Sequence, residues 1–192
     1  MINKLPKIEL HCHLDGSVRV DTIIDIAKKE NIKLELYEKC DVEKLVQVPN
    51  DCTSLNEYLK RFDLANKVMQ SRENIKRVTF ELLEDAQKEN VKYIEVRFAP
   101  LLHLNGGLSI EEVIQSAIDG INEAEKMYDI KGNIILCCMR TMSEDDAILV
   151  VEEGKKFLNK GVVAIDLAGP EEEGFVKKYK KAIELARSYG YN

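Results

Sequence analysis

The stretch His11-Cys12-His13 closes an apolar alternating run near the start of the chain, and Leu-Asp-Gly-Ser follows it directly. Successive side chains of a strand point to opposite faces, so the imidazoles of His11 and His13 would lie side by side on one face. Two such imidazoles can bind one divalent metal ion when other parts of the chain supply further ligands. Two hydrogen-bonded polar residues at a strand end are the alternative, and the spacing alone leaves both interpretations open.

Further polar residues stand at the ends of three later apolar runs. Arg97 lies near the end of one run, Arg140 ends the next, and Asp166 and Gly169 close the last. The carboxyl ends of parallel strands meet at one edge, where ligand sites of β/α barrels and open α/β sheets lie. For the two arginines taken singly, the sequence favours pairing with a carboxylate such as Asp166, while their clustering with the histidines indicates a site.

Apolar runs of strand length alternate with amphipathic stretches of helical spacing. Ser109 and Glu112 predict a capping box, and Asp21 can cap the first helix. Apolar strands separated by helices predict an α/β fold in which helices cover a parallel sheet. The predicted strands end at His13 and span 92–100, 132–140 and 161–169. The predicted helices span 20–31, 54–69, 71–89, 109–126, 143–158 and 174–189.

Composition sets the broad class of the protein. The 192 residues are 45% hydrophobic and 32% charged, which fits one soluble domain without an obvious second one. No run reaches the roughly 18 apolar residues of a membrane span, and no signal-peptide pattern is present, so the cytoplasm is the expected location. A net charge of −6 and a pI near 5.3 argue against nucleic-acid binding. Five cysteines without a C-x-x-C pair indicate reduced thiols, with Cys137 and Cys138 as packing residues.

Several of these stretches together resemble one family. The run LPKIELHCHLDGSVR resembles the opening signature of the zinc-dependent adenosine deaminases, which belong to the amidohydrolase-type β/α-barrel superfamily. In the same order, SLNEYLKRFD resembles the family's substrate-covering helix, and YIEVRFAP, ILCCMR and VVAIDLAGPE resemble its second, third and fourth strands. The resemblance covers essentially the whole chain. Related adenine deaminases typically carry Glu at the position of Asp15, so the HLDG form favours a nucleoside.

The resemblance implies roles for individual residues. His11 and His13 would be zinc ligands, and His13 and Asp15 would lie against the bound nucleoside, with the carboxylate accepting hydrogen bonds from ribose hydroxyls. Gly169 would let the backbone approach the purine closely, because it has no side chain. Tyr58, Leu59 and Phe62 would cover the site, although residues at this helical spacing also suit a core.

The implied reaction is hydrolytic deamination at purine C6, which converts adenosine or deoxyadenosine to the inosine product and ammonia with zinc as the only cofactor. The family's third zinc histidine, proton-donating glutamate, water-activating histidine and aspartate ligand belong to a half of the barrel that these 192 residues do not contain. His103, in the loop LLHLNGG, is interpreted as a solvated residue rather than a replacement ligand.

The expected architecture is therefore about four of the eight β/α units of a TIM-type barrel, with residues 1–192 as its N-terminal half and no catalytic residue of its own. Such a half could associate with itself, pair with a C-terminal half, or close as an open sheet. With two histidines and no third ligand, the chain is predicted to bind zinc weakly and to deaminate little. An adenine or other purine deaminase, and an inactive nucleoside-binding fragment, are the alternative functions.

Overall fold

The computed structural model describes residues 4–34, 37–170 and 174–192, whose strands form one parallel sheet in the order β1-β2-β3-β4. Each strand pairs with the strand that follows it in the chain. The four predicted strands and the α/β class are confirmed. The strands are Lys7–His13 (β1), Val91–Phe98 (β2), Lys131–Met139 (β3) and Val162–Ala168 (β4).

Helices connect the strands and pack against the sheet. The α-helices are α1 (Val20–Lys29), α2 (Lys39–Val46), α3 (Leu55–Leu59), α4 (Asp63–Val68), α5 (Arg72–Lys88), α6 (Ile110–Met127), α7 (Glu144–Gly154), α8 (Phe175–Lys178) and α9 (Lys180–Tyr189). Short 3-10 turns occupy Lys60–Phe62, Pro100–His103 and Lys155–Phe157. Within the described ranges, no helix is both long and apolar enough to cross a membrane.

Four of the nine α-helices in the described residues begin after a serine whose side chain caps the helix. The predicted capping box of α6 is confirmed, since the Ser109 hydroxyl accepts from the Glu112 backbone N–H and the Glu112 carboxylate accepts from the Ser109 N–H. The prediction that Asp21 caps α1 is wrong. Its carboxylate lies in the first turn and forms an ion pair with Lys39 at 2.7 Å, while Arg19 occupies the cap position without a side-chain capping hydrogen bond.

Two predicted helices are interrupted by tertiary structure. The span 54–69 divides into α3 and α4 around the tighter turn at Lys60–Phe62. The span 174–189 breaks at Tyr179, a buried residue with φ −110° and ψ 18°. Its hydroxyl donates to the Met142 carbonyl at 2.6 Å and also lies 2.9 Å from the Arg140 carbonyl oxygen, so a contact with the β3–α7 connection fixes this break.

Two further helices differ from the sequence prediction. The predicted helix 143–158 ends as an α-helix at Gly154 and continues as the turn Lys155–Phe157. Helix α2 was not predicted, because it is only eight residues long and Val42 is its one buried residue.

The core lies between the sheet and the helices that follow its strands. Helices α5 and α6 are in close contact at Gly120, where an added Cβ would lie 2.5 Å from the Lys76 carbonyl oxygen. Fully buried aliphatic side chains from the central strands fill the space beneath them, including Ile94, Ile134 and Leu136. This packing holds β2 and β3 in fixed register, and their carboxyl ends carry part of the site.

The two edges of the sheet differ in how they end. Strand β1 pairs with no strand on its outer side among the described residues, and its Ile8 and Leu10 side chains are 69% and 57% exposed. Beside β4, the Asn192 N–H donates to the Val163 carbonyl at 3.1 Å and the Ile165 N–H donates to the Asn192 carbonyl at 3.4 Å. These two bonds alternate as in a parallel ladder, so Asn192 lies where a neighbouring parallel strand would pair with β4.

Candidate active site

The site is built at the carboxyl edge of the sheet, where the strand register aligns polar residues. His13 at the end of β1 is opposite Arg97 of β2, and Cys137 of β3 is opposite Asp166 of β4. His11 lies two residues earlier, beyond a register shift between Glu9 and Cys12. The edge predicted from the sequence therefore does bring the histidines, the arginine and the aspartate together.

The guanidinium of Arg97 lies at the centre of this cluster. Its Nη1 is 2.6 Å from His11 Nε2 and 3.3 Å from His13 Nε2. The two imidazole rings are 5.6 Å apart between centroids and inclined by 60°. Both Nε2 atoms therefore point toward one position, and a cationic group occupies that position.

The other two nitrogens of the Arg97 guanidinium contact residues of β3 and β4. Nη2 forms an ion pair with Asp166 Oδ2, which confirms the predicted pairing of these residues. Nε and Nη2 lie 3.3 and 3.2 Å from Cys137 Sγ, and Arg97 as a whole is 6% exposed. Burial raises the pKa of Cys137 to about 12, so the thiol is protonated at neutral pH.

Cys137 is thus more than the packing residue predicted from the sequence. It contacts the central guanidinium and faces the cavity beside it, whereas its neighbour Cys138 packs in the core. The alternation of a strand, which sends adjacent residues to opposite faces, could have shown that Cys137 and Cys138 have different surroundings. It does not show which of the two faces the site, and a cysteine in an apolar run suits a core equally well.

Asp15 stands beside His13 with an incomplete set of hydrogen bonds. Its Oδ1 is 3.4 Å from His13 Nδ1, a long contact, and this buried oxygen has no hydrogen-bond partner among the described residues. Buried carboxylate oxygens in native proteins are normally bonded to donors. Asp15 can therefore accept a hydrogen bond from a ligand hydroxyl.

A cavity of about 290 Å³ opens beside these residues. Leu59 and Phe62 line it, and the Phe62 ring lies 5.5 Å from the His13 ring. Tyr58 contacts Phe62 edge-on at 5.5 Å and lines a neighbouring cavity of about 280 Å³ that shares Asp15 with the first. The three residues proposed as cover thus lie around the two cavities rather than in the main core.

Gly169 lines the cavity that Leu59 and Phe62 also line. Its φ of +102° lies in the region that favours glycine, and Arg140 Nη1 donates to its carbonyl oxygen. The Arg140 N–H donates to the Ala168 carbonyl at 2.7 Å and continues the β3–β4 pairing. Glu171, the last residue of the VVAIDLAGPE stretch, lies outside the described residues.

The prediction that His103 is a solvated loop residue is wrong. It lies in the turn after β2, is fully buried, and its Nδ1 donates to the Met69 carbonyl at 3.0 Å. Burial lowers the pKa of His103 to about 4, although Asp15 and the bond to Met69 act in the opposite direction. His103 is therefore neutral at pH 7, and its buried Nε2 has no hydrogen-bond partner among the described residues.

The donor set fits part of a zinc site. Two imidazole Nε2 atoms converge on one point, which is the arrangement that a pair of zinc ligands needs. Across the described ranges, however, no three His, Cys, Asp or Glu residues come together in a way that could hold a metal ion. The histidine pair thus suits a metal as two of its ligands, and a complete coordination shell needs more.

Comparison with solved structures identifies the class of fold to which this chain belongs. A cog1816 amidohydrolase from Burkholderia ambifaria, solved with bound Zn, matches with a TM-score of 0.87 over 100% of this chain and 51% of that chain, at 23% identity. Arabidopsis ADAL, solved with GMP, matches with a TM-score of 0.83 over 100% of this chain and 57% of that chain, at 29% identity. The chain therefore has the fold of a TIM barrel with about half of the barrel present.

The sequence comparisons define the family. The family model described as Adenosine deaminase matches residues 6–192, and the chain belongs to this family. An adenosine deaminase of Clostridium botulinum (strain 657 / Type Ba4) is 62% identical over 188 residues, covering 98% of this chain and 57% of that protein. One from Clostridium perfringens (strain 13 / Type A) is 60% identical over 187 residues, covering 97% and 56%. The chain spans somewhat more than half the length of these relatives.

Proposed function

We propose that this chain supplies the N-terminal half of a zinc-dependent adenosine deaminase, which converts adenosine or deoxyadenosine to inosine or deoxyinosine and ammonia. The observation that carries the proposal is the convergence of His11 Nε2 and His13 Nε2 on one point, beside Asp15 and an adjoining cavity. High identity to adenosine deaminases over nearly the whole chain supports the same reaction. The expected location is the cytoplasm.

His11 and His13 would hold the metal through their Nε2 atoms. When bound, zinc supplies the Lewis acidity that activates the attacking water at purine C6. His13 would also lie against the substrate, and the Phe62 ring next to it would shield that side of the site from solvent. The catalytic acid and base, and the remaining zinc ligands, are expected outside these 192 residues.

Asp15 supports a nucleoside rather than a free base as the substrate. Its buried Oδ1 needs a hydrogen-bond donor, which a ribose hydroxyl provides. Free adenine has no sugar that could supply this donor. Gly169 also lines the cavity, where its backbone could approach the purine.

The half-barrel is proposed to act together with the other four β/α units. The outer edge of β1 and the pairing position beside β4 at Asn192 are the two places where further parallel strands would join the sheet. A second copy or a C-terminal half could occupy them. We expect the 192-residue chain alone to bind zinc weakly and to show little or no turnover.

The test joins this chain to the C-terminal part of the Clostridium botulinum relative, in place of the matching N-terminal part of that enzyme. We expect zinc-dependent turnover of adenosine and deoxyadenosine, and much slower turnover of adenine and AMP. The Asp15→Ala variant should lose its preference for the nucleoside over adenine, because the contact to the sugar is gone. Asp15→Glu probes the specificity directly, since Glu is typical of the related adenine deaminases.

Three results would contradict the proposal. Preferred turnover of adenine by the folded hybrid protein would favour an adenine deaminase, and AMP as the best substrate would favour a nucleotide deaminase. Adenosine binding without turnover in the hybrid, with zinc bound stoichiometrically, would favour a nucleoside-binding role for this chain. The hybrid with Gln115→Ala, an exposed change on α6, serves as the control for folding.

A further inference from the structure

The contacts of Arg97 with His11 and His13 determine whether the Nε2 atom of each imidazole donates or accepts a hydrogen bond. A guanidinium has only donors, so His11 Nε2 at 2.6 Å and His13 Nε2 at 3.3 Å must both be acceptors. Their lone pairs therefore point at Nη1 of Arg97. These are the same lone pairs through which the two residues would bind a metal.

Arg97 and a metal ion cannot hold this position together. A zinc ion lies about 2.0–2.1 Å from an imidazole nitrogen along its lone pair, which is the direction that Nη1 now occupies. A dication and a guanidinium in contact would also repel each other strongly in a site that is shielded from water. Metal binding to His11 and His13 thus requires that Nη1 withdraw.

We propose that Arg97 is an internal cation that occupies the metal position when the metal is absent, so that metal binding is an exchange of one cation for another. This inference rests on the proposed function, which assigns the metal to His11 and His13. The exchange keeps both imidazoles oriented with Nε2 toward the shared position in either state. It also lowers the affinity for the metal, because the bonds from Nη1 must first be broken.

The rest of the Arg97 environment suits such an exchange. Asp166 pairs with Nη2, and the Cys137 sulfur lies 3.2 Å from Nη2 and 3.3 Å from Nε. These contacts do not involve Nη1. Because the guanidinium is a rigid plane, it must pivot as a whole about the Nη2–Asp166 contact when Nη1 withdraws, and its contacts with Cys137 then change. The guanidinium then retains a carboxylate partner inside the protein and does not have to move into solvent.

The experiment measures the affinity of the 192-residue chain for Zn²⁺ by competition with a chromogenic chelator at constant pH. The Arg97→Leu variant removes the competing cation. We expect it to bind Zn²⁺ about tenfold more tightly than the wild type, roughly the effect of one charge-assisted hydrogen bond. Arg77→Leu is the matched control, because it removes the same charge from a surface arginine of α5 that pairs with Asp25 and Glu81. Its affinity should stay within about twofold of the wild type.

Loss of Arg97 also leaves the Asp166 carboxylate without its partner, and a free carboxylate could itself bind zinc. The double variant Arg97→Leu/Asp166→Asn separates the two effects. We expect the tighter binding to persist in it. If the gain disappears when Asp166 is neutralised, the carboxylate and not the departure of Arg97 is responsible, and the proposal is wrong.

A conservative variant covers the case in which Arg97→Leu does not fold. Arg97→Lys keeps a charge for Asp166, but an ammonium cannot reproduce the planar fork that contacts the histidines and the carboxylate together. We expect it to bind Zn²⁺ at least about threefold more tightly than the wild type. An affinity equal to that of the wild type would overturn the proposal.

His11→Ala distinguishes failure of this proposal from failure of the proposed function. In the Arg97→Leu background it should abolish the tight site. Tight binding that survives His11→Ala would place the metal elsewhere and refute the proposed ligands. If His11→Ala weakens binding while wild type and Arg97→Leu bind equally well, the ligands are correct and the role of Arg97 is wrong.

Discussion

His103 makes the stability of this fold depend on pH between neutrality and pH 4. Its ring is fully buried and its pKa is lowered to about 4, from about 6.5 in the unfolded chain. Below pH 6.5 the unfolded chain takes up a proton that the folded chain does not. The folded state is therefore stabilised by the neutral ring above pH 6.5 and loses that advantage as the pH falls toward 4.

The size of the effect follows from the two pKa values. Linkage gives a loss of about 2 kcal/mol by pH 5 and about 3 kcal/mol by pH 4, relative to pH 7.5. The variant His103→Gln keeps a donor for the Met69 carbonyl and has no titrating group at this position. Its free energy of unfolding should fall by about 2 kcal/mol less than that of the wild type at pH 5, and by about 3 kcal/mol less at pH 4. The other titrating groups are the same in both proteins, so their contributions cancel in this comparison.

The assay is equilibrium urea unfolding of both proteins at several pH values, in the presence of a chelator so that metal binding does not contribute. The informative quantity is the difference between the two free energies of unfolding as a function of pH. A constant difference from pH 7.5 to pH 4 would mean that His103 titrates alike in the folded and unfolded chains, contrary to this prediction.

Three further predictions concern packing, thiol chemistry and capping. Gly120→Ala should destabilise the fold by about 1–3 kcal/mol in urea unfolding, because the new Cβ meets the Lys76 carbonyl between two packed helices. In alkylation followed by peptide mass spectrometry, exposed Cys40 should react at least ~100-fold faster than Cys137, whose thiol is buried with a pKa of about 12. Ser143→Ala should cost about 1 kcal/mol of unfolding free energy, since it removes the cap of α7.

Each of these predictions has its own contrary result. An unchanged or raised stability of Gly120→Ala would show that α5 and α6 separate easily at this contact. Alkylation of Cys137 as fast as that of Cys40 in the native protein would show that the carboxyl edge of the sheet is open to solvent. For the cap, Ser188→Ala on α9 is a matched change whose hydroxyl bonds only to the Leu185 carbonyl within its own helix; a loss as large as that of Ser143→Ala would argue against capping as the cause.

The strands and the edge that carries the site could be predicted from the sequence because the pattern is local. Nearly continuous apolar runs interrupted by helices specify a parallel sheet, and the polar residues at their ends then share one edge. The pairing of Arg97 with Asp166 followed from that placement alone. The same reasoning located His11 and His13 together.

The features that the sequence did not reveal depend on contacts between distant segments. His103 sits in a loop by sequence, yet the turn that begins at Pro100 carries it into the core, where it bonds to Met69. The break at Tyr179 exists because its hydroxyl reaches the β3–α7 connection. The central position of Arg97 between the two histidines likewise arises only when β1 and β2 are paired, and no spacing within either strand encodes it.

The decisive measurement is of zinc content and adenosine turnover on the same sample, made for the 192-residue chain and for the hybrid protein. We expect the chain alone to hold less than one zinc ion and to show little or no loss of adenosine, while the hybrid binds zinc and turns adenosine over until a chelator is added. Stoichiometric zinc and chelator-sensitive turnover in the chain alone would contradict this expectation, because residues 1–192 would then contain a complete site.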